Sequence, residues 1–368
     1  MNHLDADANW NTLMRFLPSE WEDAARKLGA MRRQRKFKNP ADLLRVLLIH
    51  IANGCSMRET AARAKQGGLI RVSDVALLKR LQNSSEWFRW MAMELVSRRG
   101  VSMKPPDEFS NYNIKSVDAS VVTEPGSTGT DWRLHYSIDL FGLRCDQFLV
   151  SRPDIGESFV NFKVEDGDLF IGDRAYGRLR GFRHVIARGG HFLARLKNKA
   201  FKIHDLEGRE LNLLKELKTL EIGRVKEIRV ATLPGAKAEM TLRFLAIRKS
   251  DEEAEKAMKK AVKDQKRKQR RIDPETIEFH RYICLVSSLP ALIAKHRIAD
   301  LYRTRWQIEI AFKRLKSIMA LGHLPKKDEA SARAWLHGKL FVALLTQAIV
   351  DEGRFFSPWG YPMQTTIP

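Results

Sequence analysis

Glu309 is the single acid in the stretch YRTRWQIEIAFKRLK (residues 302–316), where five bases and a tryptophan surround it. A carboxylate placed so has two possible employments. On a solvated helix face it makes four-apart ion pairs with Arg305 and Lys313, worth roughly 0.2–0.5 kcal/mol each. Otherwise it binds something more demanding than water. Wound at about 3.6 residues per turn, Tyr302, Arg305, Glu309 and Lys316 share one stripe, beside an apolar stripe of Leu301, Ile308, Phe312, Leu315 and Met319. The helix so predicted buries its aliphatic residues and aims a phenol, a guanidinium, a carboxylate and an ammonium along one edge.

Two further acids stand at special positions. Asp118 lies within the alternating, β-branched run NIKSVDASVV, and Asp173 directly follows the apolar run DLFIG. The carboxyl ends of strands are where open α/β sheets place ligands. Two strand aspartates and one helix glutamate converging on a sheet edge suit Mg²⁺ (or Mn²⁺), a hard cation that takes oxygen ligands and keeps positions for water and phosphate. Two such ions about 3.5–4 Å apart activate a water or a 3′-hydroxyl and stabilise the leaving oxygen of a phosphodiester. Tyr302, Arg305 and Lys316 would then hold the strand beside the reacting phosphate. Lys313, four residues after Glu309, joins them as a candidate DNA contact, and Arg174, next to Asp173, either joins them or screens the acids.

The overall charge agrees with such a partner. Among 368 residues, 65 Lys and Arg against 44 Asp and Glu leave +21, which attracts a polyanion. A membrane is the competing anionic surface, but no stretch approaches the ~20 apolar residues of a spanning helix, and the start MNHLDADANWN lacks the order of a secretory signal. Cys55, Cys145 and Cys284 are too few and too scattered for a disulfide framework or a zinc site. They fit a cytoplasmic, nucleoid-associated protein and read as small buried apolar residues.

The elements that must position these acids follow from periodicity. Residues 1–105 read as a helical domain, with a cap-and-proline start at Asn39 and Pro40. Within it a capping box from Ser56 to Glu59, a stop at Gly67-Gly68 and a new start at Ser73 predict two short helices. With Arg58, Arg63, Lys65, Arg71, Lys79 and Arg80 around them, these resemble a DNA-binding helix-turn-helix. Residues 106–197 change to a period of two and then to strand–helix–strand, the pattern of a mixed sheet with helices packed on it. Residues 198–281 form a β-rich insertion followed by a basic segment, EEAEKAMKKAVKDQKRKQRRIDPE, read as a solvated helix or mobile arm. Residues 282–325 resume the sheet and carry the Glu309 helix; residues 326–368 add a helical C-terminal region whose apolar stripe needs a partner. No internal repeat is visible. Asp131, Asp139, Asp146, Asp154, Asp166 and Asp168 read as turn and solvation chemistry, and His135 as a strand-surface histidine without a partner at zinc spacing.

The pattern Y-x2-R-x3-E-x6-K, with VDAS upstream and GDRAYG between, resembles the DDE transposases of bacterial insertion sequences, in the group known by its YREK signature (insertion-sequence-four-like). The likeness spans most of the chain. It implies an α/β fold with a ribonuclease-H-like mixed-sheet core, a β-rich insertion and helical flanks. It implies that Asp118, Asp173 and Glu309 hold two metal ions and that Tyr302, Arg305 and Lys316 contact transposon-end DNA. It further implies cleavage through a DNA hairpin, with an extruded base held against an aromatic residue, here Trp306. The implied partners are double-stranded DNA (terminal inverted repeats and target) and a second copy of the chain in a synaptic homodimer. The tail after Val350, ending YPMQTTIP, is shorter than the likeness leads one to expect, and a reduced dimerisation region is the corresponding expectation. Two competing readings share the acids. One is a domesticated DNA-binding relative without catalysis; the other is a ribonuclease-H-like nuclease that hydrolyses without joining. The helical N-terminal region and the signature favour the transposase.

Overall fold

Where apolar side chains alternate along the middle of the chain, they pull it into one mixed sheet. The computed structural model describes residues 3–353 except 33, 35, 98–103, 128, 143, 233–239, 268, 270, 272, 307, 311, 312, 314–323 and 326. The N-terminal region winds into α1 (His3–Met14), α2 (Trp21–Lys27), α3 (Pro40–Asn53), α4 (Met57–Gln66), α5 (Asp74–Asn83) and α6 (Ser85–Ser97). The cap residues read from the sequence act as caps. Asn39 accepts from the Asp42 amide at 2.7 Å, Ser56 from Glu59 at 3.1 Å and Ser73 from Ala76 at 3.3 Å. Gly54 ends α3 at φ 68°, a left-handed conformation that favours glycine.

Next come β1 (Asn113–Val122), β2 (Trp132–Asp139), β3 (Arg144–Ser151), β4 (Asp168–Gly172), α7 (Leu179–Ile186) and β5 (His191–Arg195). After α8 (Leu213–Leu217), β6 (Val225–Ala231), β7 (Thr241–Arg248), α9 (Asp251–Arg267) and α10 (Pro274–Glu278), the chain returns as β8 (Tyr282–Ser287). Helix α11 (Lys295–Arg303) follows, then a helix of which residues 306, 308–310 and 313 are described (α12), and α13 (Glu329–Gly353). Among the described residues, eight strands form one sheet in the order β3-β2-β1-β4-β5-β8-β7-β6. The first three are antiparallel, β4 runs parallel to β1, and β5 parallel to β4. This is the ribonuclease-H-like arrangement.

The insertion extends that sheet. Strand β7 pairs antiparallel with β8 from Arg243 opposite Ser287 to Arg248 opposite Tyr282, and β6 pairs with β7. An unpaired β8 edge would leave a ladder of amides and carbonyls exposed, which the insertion covers. The segment read as a solvated helix or mobile arm is a helix over Asp251–Arg267. It buries Ala254 and Ala261, while Lys256–Glu252 and Lys259–Glu255 pairs face water.

The apolar stripe of α13 finds its partner within the chain. Ala334, Phe341, Val342 and Leu345 share a core with α3 and α6, and Trp335, Leu336 and Leu340 share another with β2 and β3. Gly338 permits the approach: a Cβ there would stand 2.5 Å from the Ile51 Cδ1. No helix among the described residues is long and apolar enough to cross a membrane. All three cysteines are buried and free.

Two readings of polar residues are corrected. His135 is fully buried rather than on the strand surface. Its ring is bonded on both nitrogens, to Ser151 Oγ at 3.0 Å and to Asn161 Nδ2 at 3.2 Å, because the β3–β4 connection folds over β2. Asp168 and Asp146 are not solvated turn residues. Lys115, on the inner strand β1, donates to Asp168 at 2.9 Å and lies 3.4 Å from Asp146. Asp139 does perform turn chemistry, accepting from the Phe141 and Gly142 amides.

Candidate active site

Strand pairing places the two aspartates. In every β1–β4 pair the partners differ by 55 residues, the last being Ser116 opposite Ile171. Asp118 stands two residues further along β1 and Asp173 directly after the end of β4, close enough for the Asp173 charge to act on Asp118. Neighbouring strands lie ~4.8 Å apart and in-register side chains emerge on the same face. Each carboxylate is oriented by a backbone amide, Asp118 by Ala119 at 2.8 Å and Asp173 by Ala175 at 2.7 Å. The tight turn after β4 closes with the Tyr176 amide bonded to the Asp173 carbonyl. Burial pushes the Asp118 carboxyl up to about 6, with Asp173 and Glu157 raising it further and Arg305 pulling it down.

Glu157 is a third acid at this point, and sequence reasoning passed over it. It lies in the β3–β4 connection, where no periodicity marks it. The connection is fastened by Arg133, which donates to the Pro153 and Ile155 carbonyls at 3.2 and 2.6 Å, and by Asn161, which donates to the Gly156 carbonyl. Burial raises the Glu157 carboxyl, and Asp173 adds to the effect. The Tyr176 hydroxyl is buried without a hydrogen-bond partner among the described residues. Its burial, and then the charges of Asp118, Glu157 and Asp173, hold the phenol strongly protonated.

The signature stretch is not one helix. Helix α11 ends at Arg303, and the Thr304, Arg305 and Ile308 amides bond to the carbonyls of Leu301, Tyr302 and Arg305, a three-residue spacing that tightens the chain before α12. Packing explains the break. Ile298 and Leu301 are buried against Leu245 and Leu285 on the sheet, whereas Ile308 enters the separate core of Trp132 and Trp335. Arg305 stands at the junction. Its guanidinium donates to Glu309 at 2.5 Å, lies 6.0 Å from the centre of the Tyr302 ring and acts electrostatically on Asp118. Glu309 is 57% exposed. Among the described residues, no three acidic, histidine or cysteine side chains are grouped to hold a metal ion. The structure therefore brings Asp118 and Asp173 together and keeps Glu309 on Arg305. Trp306 and Lys313 are exposed, and Lys316 lies outside the described residues, as do Phe312, Leu315 and Met319 of the expected apolar stripe and the tail from residue 354.

A cavity of about 340 Å³ opens beside Asp173, lined by Arg174, Arg195, Lys249, His280, Tyr302 and Arg305 among others. Arg174 donates to His280 Nε2 at 3.0 Å, and His280 Nδ1 is 2.7 Å from the Thr276 carbonyl. Burial lowers Arg174 to about 10, with Arg195 adding to the effect; burial lowers Lys249 to about 8, with Arg195 and Arg174 adding. Cations that oppose one another's charge in a half-buried cavity are stabilised by an anion. Arg195 and Lys249 were not singled out from the sequence. Only the β5-β8-β7 order, which sets the ends of β5 and β7 near Asp173, makes them visible.

None of the helix-turn-helix candidates is among the residues that line this cavity. Arg58 is 92% exposed, Arg63 pairs with Glu59, Arg80 donates to the Ala30 carbonyl, and Lys79 is exposed. Lys65 and Arg71 line a cavity of about 400 Å³ with Lys36.

The family model described as Transposase DDE domain matches residues 154–345. The chain belongs to the DDE transposases. It is 30% identical over 358 residues to the putative transposase InsL for insertion sequence element IS186A of Escherichia coli (strain K12), covering 95% of this chain and 96% of that one. Identity to the transposase for IS421 of Escherichia coli is 30% over 359 residues, with the same coverage. To the transposase for IS231F of Bacillus thuringiensis subsp. israelensis it is 24% over 385 residues, covering 93% of this chain and 80% of that one. Among solved structures, the piggyBac transposase synaptic complex with hairpin DNA aligns with a TM-score of 0.44 at 7% identity, over 93% of this chain and 74% of that one. As a DDE transposase the chain catalyses DNA strand cleavage and strand transfer, and enzymes of this class use divalent metal ions.

Proposed function

We propose that this transposase mobilises an insertion sequence of the YREK group, binding the terminal inverted repeats as double-stranded DNA, cleaving them through a hairpin and joining them to target DNA. The observation that supports this reading is the closeness of Asp118 and Asp173, whose charges act on each other, with Arg305 acting on both Asp118 and Glu309. The donor set is all oxygen, as Mg²⁺ or Mn²⁺ requires, and the buried, unpartnered Tyr176 hydroxyl borders it. Asp118 and Asp173 would hold two such ions with Glu309, once its carboxylate turns from Arg305. When bound, the ions supply an activated hydroxyl and charge stabilisation at the phosphate.

The chain's own residues do the rest. Arg174, Arg195, Lys249 and Tyr302 grip the backbone of the end DNA in the cavity beside Asp173, where their charges need an anion. Arg305, Lys313 and Lys316 continue that contact, and Trp306, half exposed, receives an extruded base. In the helical region 1–105, α4 and α5 contact the repeat through Arg58, Arg63, Arg71, Lys79 and Arg80. Two copies of the chain synapse the two ends. Residues 106–197 and 282–325 make up the catalytic core, 198–281 its insertion, and 326–368 the C-terminal region.

The test is nicking of a duplex carrying the inverted repeat that flanks the gene, with Mg²⁺. Asp118→Ala, Asp173→Ala and Glu309→Ala should each abolish cleavage and joining while leaving end binding largely intact, because the ions act on chemistry more than on docking. Near-normal strand transfer by any of them would remove that residue from the site.

A further inference from the structure

A second basic cavity, of about 790 Å³, is lined in part by Ala175, two residues after Asp173. Asp173 and Arg174 face the smaller cavity that Tyr302 and Arg305 also line, whereas Ala175 faces this larger one. The turn thus borders two cationic cavities. Resting on the transposase reading above, we propose that the larger cavity holds a strand of the target DNA during strand transfer, with Arg178, Arg180 and Lys197 on its phosphates.

Two observations and one requirement of the reaction support the assignment. First, these cations have no ion-pair partner among the described residues, whereas exposed Lys163, Lys199 and Lys202 each pair with a nearby acid. The fourth cation of the lining, Arg133, is occupied with the Pro153 and Ile155 carbonyls, and the acids Asp154 and Glu157 leave the lining with a positive excess. Second, Arg178 and Arg180 open α7, whose first turn has no acidic residue and no side-chain cap. Cations at the positive end of a helix dipole are unfavourable alone and compatible with an anion bound between them. Third, the reaction needs two strands at one set of acids. A transferred 3′-hydroxyl attacks a target phosphodiester, forming a new P–O bond as the target's own 3′-oxygen leaves with a proton. With the end DNA assigned above to the cavity of Tyr302 and Arg305, the second strand is assigned to the cavity that Ala175 lines.

The experiment supplies pre-cleaved end duplex and a supercoiled plasmid as target, and scores nicking of uncut ends in parallel. Arg178→Ala/Arg180→Ala/Lys197→Ala should lower joining by about tenfold or more and leave nicking and end binding unchanged. Its affinity for a plain duplex should fall less steeply with salt, by about 0.9 in the log–log slope for each phosphate that is no longer neutralised. Arg180→Glu alone should reproduce the joining defect, and Arg180→Lys should restore it. Undiminished joining would overturn the proposal, and so would equal losses of nicking and joining by a normally folded variant, which would place the cavity on the end DNA. No nicking by the unaltered protein would instead overturn the transposition reading itself.

Discussion

Arg305 donates to the Glu309 carboxylate at 2.5 Å across one turn, at the point where α11 gives way to α12. With Glu309 57% exposed and the Arg305 side chain 18%, this pair contributes at most on the order of 1 kcal/mol to stability. Its position beside Asp118 is what matters. Arg305→Ala should shift the denaturation midpoint only slightly and yet reduce cleavage of end DNA by about tenfold or more, as removal of a charge-assisted phosphate contact would. Arg305→Lys keeps the charge without the planar fork and should recover only part of the activity. A variant that loses stability and activity in proportion would make Arg305 a structural residue.

Protonation of Asp118 should be visible in stability. Its carboxyl is raised from 3.8 to about 6 in the folded chain, chiefly by burial. The folded state therefore favours the protonated acid, and the contribution present below pH 4 is lost as pH rises through 6. Above that, the buried charge costs about 3 kcal/mol, from roughly two pKa units at ~1.4 kcal/mol each. Asp118→Asn should be more stable than the unaltered protein in urea at pH 8, with the difference vanishing near pH 4. Equal stability at both pH values would mean that the carboxylate is not desolvated. Added Mg²⁺ should narrow the difference at pH 8 by compensating the charge.

Gly172 holds the Asp173 turn close to its support. A Cβ at this position would lie 2.7 Å from Tyr176 Cβ and 2.9 Å from Phe159 Cζ. Gly172→Ala should destabilise by about 1–3 kcal/mol, as overpacking does, and should slow cleavage because Tyr176 and Asp173 share the turn. Gly129→Ala, with only the Ser127 hydroxyl 3.9 Å away, serves as the neutral control.

Trp306 is 54% exposed, so its indole is not a core component. Trp306→Ala should change stability by no more than about 0.5 kcal/mol. Stacking on an extruded base is worth roughly 1–3 kcal/mol, so the variant should make the first nick and then form hairpin slowly. Removing the base opposite the aromatic should partly restore the rate. Hairpin formation at the normal rate would leave Trp306 without a role in base capture.

End binding should weaken steeply with salt, with a log–log slope of about −0.9 per phosphate neutralised. The +21 charge and the cluster of cations beside Asp173 both require it. An affinity nearly flat between low and physiological salt would contradict phosphate contact as the main source of binding.

Local chemistry makes much of this protein legible in its sequence. Asn39, Ser56 and Ser73 announce helix starts because a cap bonds to an amide three residues on, and β1 and β2 announce themselves by alternation. Asp173 stands out because it directly follows an apolar strand, and Asp118 because it sits within one. Their partnership depends on the parallel register of β1 with β4, a long-range pairing that no local pattern encodes. The same holds for Arg195 and Lys249, which reach the site only because β5, β8 and β7 lie side by side. Glu157 depends on a loop folded over His135. The break between Tyr302 and Glu309 is invisible to periodicity, since one amphipathic pattern serves two cores: Leu301 packs on the sheet and Ile308 beside Trp335. The sequence by itself determined which residues have the chemistry and where helices begin; tertiary packing decided which of them meet, because strand register and core competition are settled between segments far apart in the chain.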